Sequence, residues 1–535
     1  MYNQRFIDAE QSGLYGTMML DYLRDDPKLR EFFVYKPALS SFAELLKQKK
    51  QKSIDRDLLA TVITEQYRAL GVESPLLNKQ LASLQSKDTF TVCTGHQACL
   101  FTGPLYFIYK ICSTIVLANE LIKEFPEQHF VPVFWIASED HDFAEIDHAQ
   151  VFGKTIRWAK PFSDEQTPPV GRLSTASMQS LLEELRSMLG ADGRDLFAIV
   201  QQAYDGKKTL AQATAFLVHA LFGDTGLLVL DADDARLKQL FAPAMQRELL
   251  EGIAEQMVGK TNAALLQQGY KAQVNPRPIN LFYLTTEHRG RIEQQGEVFL
   301  VKGTALSFTK DALLDELKTH PERFSPNVLM RPLYQETILP NLAYIGGPGE
   351  LAYWLQLNSL FVAHGLTMPV LMLRQSLLCV DANAAKKIKK LDLTSLDFFK
   401  DADAIVKQYL KAQSDFPDVA DDQKALDVLF NRLAERVKAV DPTLKAAVEG
   451  EHKKVTNALN NLQEKLIKAQ KKKQELTVEQ VRTLREKLFP NGVMQERSEN
   501  FIPFYLKQGP AFLADVLQAI KSFDQRVIVL EEQNQ

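Results

Sequence analysis

The sequence predicts an α/β protein in which a doubly wound parallel sheet carries insertions and is followed by a helical coiled-coil region. Residues 89–94 and 130–137 are apolar runs of strand length, and a helix that opens at Pro104 is predicted between them. Strand, loop, helix and strand make one βαβ unit with a parallel pair. Further strands are predicted at residues 227–230, 279–284 and 368–373, with helices between them.

Composition narrows the class of protein. The chain has 535 residues, of which 45% are hydrophobic and 24% charged, which indicates a globular protein of several domains. A net charge of −4 argues against a dedicated nucleic-acid binder, and no apolar stretch is long enough for a membrane span. We therefore expect neither nucleic acid nor membrane as a partner. Four cysteines without a C-x-x-C pair, and a start without a signal-peptide core, predict a cytoplasmic protein.

The chain is predicted to have four parts. They are a helical N-terminal part packed on the core (1–88), a catalytic core with insertions (89–384), an antiparallel coiled coil (385–490) and a C-terminal segment that returns to the core (491–535).

The coiled coil is predicted from two apolar series. The first series consists of Leu426, Phe430, Leu433, Val437 and Val440. The second series repeats every seven residues at Val448, Val455, Leu462, Ala469 and Leu476, with Leu459 and Leu466 between them. Asp441 and Pro442 between them resemble a helix cap and a first-turn proline, which predicts two long antiparallel helices. The basic tract at residues 468–473 is interpreted as a solvated helix face, with RNA or membrane contact as the alternative.

The loop after the first predicted strand is a candidate anion site. It contains Thr94, Gly95, His96, Gln97 and Gly103, and it leads into the start of a helix. Backbone N–H groups and the dipole at a helix start attract anions, phosphate included. The loop is neither G-x-G-x-x-G nor a P-loop, so neither motif is assigned. A tight turn without a ligand is the alternative interpretation.

The second predicted strand ends in Glu139, Asp140, His141 and Asp142, directly after an apolar run that contains Trp135. Open α/β sheets bind their ligands at the carboxyl ends of strands, so this cluster predicts chemistry there. One carboxylate would act as a general base, and His141 as an acid, a base or a phosphate contact. Helix capping explains one or two of these residues at most. The spacing is not diagnostic of a metal site, and no metal is predicted.

A third polar group surrounds a glycine-rich turn. Its members are Arg331, Asn341, Tyr344, Gly346, Gly347 and Glu350. An arginine near a glycine-rich helix start suits a polyanionic or carboxylated ligand. Turn geometry alone is the alternative explanation of the glycines.

Several of these segments, in this order, resemble one family. They are Thr94-Gly95-His96-Gln97, residues 102–106, residues 132–142, Arg331-Pro332 and residues 345–350. The chain resembles, over nearly its whole length, the BshC family of cysteine ligases of bacillithiol biosynthesis. The resemblance implies a Rossmann-like core similar to class I nucleotidyltransferases, and a coiled-coil domain that supports a homodimer. No K-M-S-K-S loop is present, so synthetase mechanics do not transfer as a whole.

The resemblance implies a ligase that forms a carbon–nitrogen amide bond between cysteine and glucosaminyl-malate. A carboxylate is a poor electrophile, so ATP with Mg is the expected cofactor. Asp140, His141 and Asp142 are the predicted catalytic residues, which would position or deprotonate the amine. The predicted substrate- and nucleotide-binding residues are Thr94, Gly95, His96, Gln97, Gly103, Trp135, Glu139, Arg331, Asn341, Tyr344, Gly346, Gly347 and Glu350. The alternatives are a nucleotidyltransferase that activates another acid and a coiled-coil scaffold that binds nucleotide.

Overall fold

A five-stranded parallel sheet forms the core of the computed structural model, which describes residues 2–412 and 419–533. Its strands in spatial order are Val370–Leu373, Asn341–Gly346, Thr89–His96, His129–Ile136 and Leu228–Asp231. Each neighbouring pair is parallel, so all five carboxyl ends meet at one edge of the sheet. Four of these strands confirm the predicted ones. The Asn341–Gly346 strand was not predicted from the sequence.

The helix Tyr106–Glu124 packs against this sheet and completes the predicted βαβ unit. Leu117 and Leu121 on the helix join Phe90 and Val92 of the central strand in one buried cluster. Burying such a side chain contributes about 1.5–3 kcal/mol, so the cluster fixes the helix against the sheet. The start of the helix is thereby held at the edge where the strands end.

The strand predicted at residues 279–284 does not belong to the parallel sheet, which corrects the sequence-based expectation. Leu281–Leu284 pairs antiparallel with its neighbours in a second five-stranded sheet. The strands of that sheet in spatial order are Ser307–Thr309, Val298–Val301, Arg289–Gln295, Leu281–Leu284 and Phe324–Pro326. A short apolar run looks the same in either kind of sheet, because pairing depends on the partner strands.

Helices connect and cover the two sheets. Those before the first parallel strand are Ala9–Ser12, Thr17–Leu23, Leu39–Lys49, Arg56–Ala69 and Pro75–Leu84, after the strand Tyr2–Ile7. Those between the parallel strands include Phe143–Ile146, Gln179–Leu189, Arg194–Ala203, Leu210–Phe222, Ala235–Glu251, Ile253–Gln267, Lys310–Thr319, Arg331–Ile338, Pro348–Trp354 and Asn358–Ala363. His148–Val151 and Lys154–Arg157 form a small antiparallel hairpin.

The chain divides into two compact units. The larger comprises Phe6–Leu377 and Glu496–Ile528, and it contains both five-stranded sheets. The smaller comprises Met1–Arg5, Leu378–Gln495 and Val529–Gln535. Its α-helices are Ala382–Lys390, Ala402–Ala412, Ala420–Lys438, Lys445–Lys473 and Glu475–Leu488. The larger unit ends with the helices Ile502–Gln508 and Ala511–Ala519.

Two long helices of the smaller unit, Ala420–Lys438 and Lys445–Lys473, pack antiparallel as predicted. His452 stacks on Phe430 at 4.9 Å between ring centroids and lies 2.8 Å from Asp427. Residues further along the second helix contact residues earlier in the chain, since the Val419 N–H donates to Gln463. Asp441 caps the turn that joins the helices, and Pro442 follows it, as expected.

The second apolar series is not the seam of this helix pair, which is a correction. Val455 is 38% exposed and Leu462 49%, whereas Ile467 is only 4% exposed. Leu476 lies outside the pair, on the helix Glu475–Leu488. A series that repeats every seven residues selects one stripe of a helix, but the stripe alone does not determine which neighbour covers it. Within this pair, side chains on another face of the helix make the contacts.

Candidate active site

A cavity of about 850 Å³ lies at the edge where the parallel strands end. Its volume suits a nucleotide or another ligand of that size. The residues predicted from sequence that line it are Gly95, His96, Gln97, Trp135, Glu139, Asp140, Arg331, Tyr344, Gly347 and Glu350. They come from three separate segments of sequence, and the shared strand ends bring these segments together.

Lys110 joins the first loop to the glycine-rich turn. Its ammonium is buried in the Tyr106–Glu124 helix and donates to the Gly95 carbonyl and to both Glu350 oxygens, at 2.9 and 2.8 Å. Glu350 also accepts from the hydroxyl of Tyr344 at 2.9 Å. Burial alone would raise the pKa of Glu350, but Lys110 holds it below its usual value. Glu350 is therefore an anion that shapes the turn.

His96 is a neutral hydrogen-bonding group. Its Nδ1 lies 3.2 Å from the carbonyl oxygen of Gln97, which can only accept, so Nδ1 carries the proton. Nε2 then accepts from the Tyr106 hydroxyl at 3.2 Å. Burial, reinforced by Lys110, lowers the pKa of His96 to about 4. Nearby Cys99 is a protonated thiol, since burial raises its pKa to about 12.

Asp140 is a fixed anion on the cavity wall. One of its oxygens accepts from the Gln97 amide at 2.8 Å, and the other accepts from the backbone N–H of His141 at 2.7 Å. Burial would raise the pKa of Asp140, but the Arg289 cation, the Gln97 amide and the backbone N–H of His141 hold it below its usual value. A carboxylate of this kind attracts a cation and is a weak base.

Glu139 has the opposite character. It is buried, and burial raises its pKa, although the ammonium of Lys238 lies 2.5 Å from its Oε1. Lys238 also lies 2.8 Å from Asp233, which pairs with Arg172 at 2.6 Å. Two neighbouring carboxylates thus differ in proton affinity because their surroundings differ, which is the arrangement that separates a base from a charge anchor.

Arg331 lies within an aromatic enclosure. Its guanidinium is 5.8 Å from the ring centroid of Trp135, 5.4 Å from that of Tyr344 and 6.0 Å from that of Trp354. Nη1 donates to Gln335, while Nη2 is buried with no hydrogen-bond partner among the described residues. A buried cationic donor without an acceptor is suited to an anionic ligand group.

The sequence-based prediction missed several arginines that line the cavity. They are Arg289, Arg291, Arg374 and Arg497. Arg289 and Arg291 follow the two-residue period of a strand and flank the ring of Phe282, at 3.9 and 5.8 Å. This alternation of two arginines is the local sequence signal that could have predicted them as cavity residues. With Arg331, these side chains make the cavity wall rich in arginine, although Arg374 is paired with Glu496 at 2.7 Å.

Three predicted binding residues do not line the cavity. Thr94 is buried within the sheet and donates from Oγ1 to the Ile345 carbonyl at 2.7 Å. Asn341 starts its strand, so it lies at the opposite edge of the sheet, where it donates to Glu336 at 2.7 Å. Gly346 is packed so closely that a Cβ would lie 2.8 Å from Leu351.

Gly103 and two of the three predicted catalytic residues also lie off the cavity wall. Gly103 has φ +63°, and a Cβ at this position would lie 2.8 Å from the Cβ of Cys99. Glycine is therefore needed here for the conformation of the turn. Asp142 accepts from the Glu145 N–H at 3.3 Å as the cap of a short helix. The described residues that line the cavity include Asp140, whereas His141 lies behind it against Arg289.

The part of the chain that the structure describes contains neither a metal-binding cluster nor a helix that could span a membrane. No group of three or more His, Cys, Asp or Glu is arranged to hold a metal ion among residues 2–412 and 419–533. No helix in these ranges combines the length and the apolar character that a membrane crossing requires.

Comparison with known proteins identifies two matching domain families. "Bacillithiol biosynthesis BshC, N-terminal Rossmann-like domain" matches residues 5–375, and "Bacillithiol biosynthesis BshC, C-terminal coiled-coil domain" matches residues 377–532. A protein of Flavobacterium johnsoniae named "Putative cysteine ligase BshC" is 40% identical over 97% of this chain and 98% of its own. Proteins of the same name from Christiangramia forsetii and Chlorobaculum tepidum are 37% and 31% identical, over 98% and 90% of this chain and 98% and 89% of their own.

Proposed function

Because this chain belongs to the BshC family of bacillithiol biosynthesis, we propose that it is a ligase that joins L-cysteine to glucosaminyl-malate through an amide bond. One observation carries the proposal. The cavity combines a cationic, arginine-rich wall with two adjacent carboxylates, Glu139 and Asp140, of opposite proton affinity. Anionic substrates, an amine and a base are the components that amide formation requires.

ATP is the proposed source of activation. A free carboxylate resists attack, and ATP would activate it by transfer of a phosphorus-bearing group to its oxygen, with the remainder of ATP leaving as pyrophosphate or ADP. The cavity fits such a ligand, because its volume is about 850 Å³ and backbone at Gly95 and Gly347 lines it. Arg331 and the arginines opposite it would hold phosphates and the malyl carboxylates. Mg would enter bound to the phosphates of the nucleotide, and a carboxylate of the cavity would complete its ligands.

The two carboxylates take different parts in the proposed reaction. Asp140 stays charged and attracts the ammonium form of the glucosamine amine. Glu139, whose pKa burial raises, accepts the proton that the amine loses as it attacks the activated carbonyl carbon. The amine nitrogen and the carbonyl carbon form the new bond, and the phosphate-bearing oxygen departs. His96 stays neutral and serves as a hydrogen-bonding group near the phosphates.

A mass-spectrometric assay tests the function directly. Purified protein is incubated with cysteine, glucosaminyl-malate and ATP with Mg, and the thiol product is sought with and without ATP. We expect product only with ATP, and at least about 100-fold less product with Asp140→Asn or Glu139→Gln, as for general acid–base groups. Asp164→Asn is the matched control, because its side chain is 98% exposed.

The outcomes separate the alternatives. Product without ATP would contradict the activation step. If no product forms with cysteine, release of pyrophosphate with other carboxylic acids would favour a nucleotidyltransferase for another acid. Nucleotide binding without any turnover would favour a scaffold.

We also propose that the protein is a homodimer formed through its coiled-coil helices. Val455 and Leu462 are exposed on the Lys445–Lys473 helix although they are apolar and seven residues apart. A second copy of the same stripe would bury them. Light scattering of the full chain should give a dimer, and the double variant Val455→Lys and Leu462→Lys should give a monomer. A monomeric starting protein would contradict this proposal.

A further inference from the structure

Arg289 is held on the cavity wall by four neighbours. Its guanidinium lies 3.9 Å from the ring centroid of Phe282, and its Nε donates to the hydroxyl of Ser325 at 3.3 Å. Its Nη1 donates to Nδ1 of His141 at 3.1 Å and lies 3.5 Å from Oδ1 of Asp140. These contacts use Nη1 and Nε, and none to Nη2 is recorded among the described residues. Nη2 is the part that can reach a ligand.

The contact with Arg289 determines the tautomer of His141. A guanidinium has no acceptor, so His141 must receive the hydrogen bond on a Nδ1 that carries no proton. The alternative is a protonated Nδ1 that donates to Asp140, but that distance is 3.5 Å and the proton would face the N–H of Arg289. His141 is therefore held with its proton on Nε2 and with Nδ1 as an acceptor.

We infer that His141 is a positioning residue, which acts on the substrate only through Arg289. His141 does not line the cavity, whereas Arg289 does. The Nδ1 lone pair and the Phe282 ring fix the plane of the guanidinium, so that Nη2 points at a carboxylate of the acceptor substrate. This inference deepens the proposed function, since it rests on an anionic substrate in the same cavity.

This role differs from general acid–base catalysis by His141, which the sequence predicts. A general base needs a free lone pair within reach of the substrate, and the Nδ1 lone pair of His141 is already used by Arg289. The positioning role requires only a hydrogen-bond acceptor where Nδ1 of His141 lies. An asparagine side chain supplies an oxygen there, whereas a glutamine supplies one nearer the place of Nε2.

Three variants of His141 distinguish the two roles. His141→Asn should keep the KM for glucosaminyl-malate within about 3-fold, while His141→Ala and His141→Gln should raise it about 10- to 100-fold, the loss expected for one hydrogen bond to a charged group. Arg289→Lys should resemble His141→Ala, because an ammonium cannot donate in the same plane. His320→Ala, which removes a histidine that is 43% exposed, is the matched control.

A kcat decrease of 100-fold or more in His141→Asn with KM unchanged would overturn the inference in favour of acid–base catalysis. The tautomer itself is measured by nitrogen NMR on protein labelled at histidine. We expect an unprotonated Nδ1 and a protonated Nε2 for His141 at pH 8. A protonated Nδ1 would overturn the inference irrespective of activity.

Calorimetric titration with malate alone separates this inference from the proposed function. We expect His141→Asn to bind malate like the unmodified protein and His141→Ala to bind it more weakly, with unchanged circular dichroism in both. If no amide product ever forms but this pattern holds, the ligase proposal fails and the positioning role stands. Equal malate affinity in all variants would overturn the positioning role alone.

Discussion

The ammonium of Lys110 lies within hydrogen-bonding distance of both carboxylate oxygens of Glu350, at 2.9 and 2.8 Å, although the two residues are 240 positions apart. The ion pair fastens the glycine-rich turn to the helix Tyr106–Glu124. Because Lys110 also holds the Gly95 carbonyl, two walls of the cavity depend on one side chain.

We expect Lys110→Met to destabilise the protein by about 2–3 kcal/mol, since the half-buried carboxylate of Glu350 loses its cation and keeps only the Tyr344 hydroxyl and the Gly347 N–H as donors. Urea unfolding followed by fluorescence measures the change. Lys123→Met on the same helix is the control, because Lys123 is exposed. A loss below about 1 kcal/mol would show that water replaces the ammonium.

Lys238→Met should shift the acid limb of the pH–activity profile to higher pH. Lys238 is the cation beside both Glu139 and Asp233, and burial already raises the pKa of Glu139. Without the ammonium the pKa of Glu139 rises further, so a higher pH is needed to ionise it. The measurement is the rate of product formation across pH, with Lys260→Met on an exposed site as control. If the acid limb of the profile does not shift, Glu139 is not the general base.

His96→Gln should make the protein less sensitive to acid. The pKa of His96 is lowered from 6.5 to about 4, so the unfolded chain takes up a proton at a higher pH than the folded protein does. The stability that His96 contributes is therefore complete above pH 6.5 and is lost as pH falls towards 4. Between pH 7.5 and 4.5 the wild-type protein should lose about 2 kcal/mol more than His96→Gln in urea unfolding. Equal losses would contradict the lowered pKa.

Asn500→Ala should destabilise the loop that contains Phe101 and Gly103. The Asn500 amide donates to the carbonyls of Phe101 and Gly103, at 2.8 and 2.6 Å, and Phe101 has φ +50°. Removing both bonds leaves two buried acceptors unsatisfied beside a strained backbone, at a cost of about 2–4 kcal/mol. Thermal unfolding and hydrogen exchange at residues 99–104 measure the effect. Asn460→Ala, at an exposed position, should change neither.

The sequence determined where the carboxyl ends of the first two strands lie. Apolar runs that stop at Gly95 and at Glu139 encode this locally, and parallel strands bring such ends to one edge. Six of the predicted site residues line the cavity for this reason, namely Gly95, His96, Gln97, Trp135, Glu139 and Asp140. The type of sheet at 279–284 was not determined in this way, because an apolar run carries no information about its pairing partner.

Only the tertiary structure decided which side chains face the ligand and which are used by neighbours. His141 and Asp142 adjoin Asp140 in sequence, yet one serves Arg289 and the other caps a helix. Arg289 lies 149 positions from Asp140, and no local pattern links them. Proton affinities and tautomers depend on burial and on such distant partners. The sequence therefore predicts which segments form the site, whereas the role of each side chain depends on the packing around it.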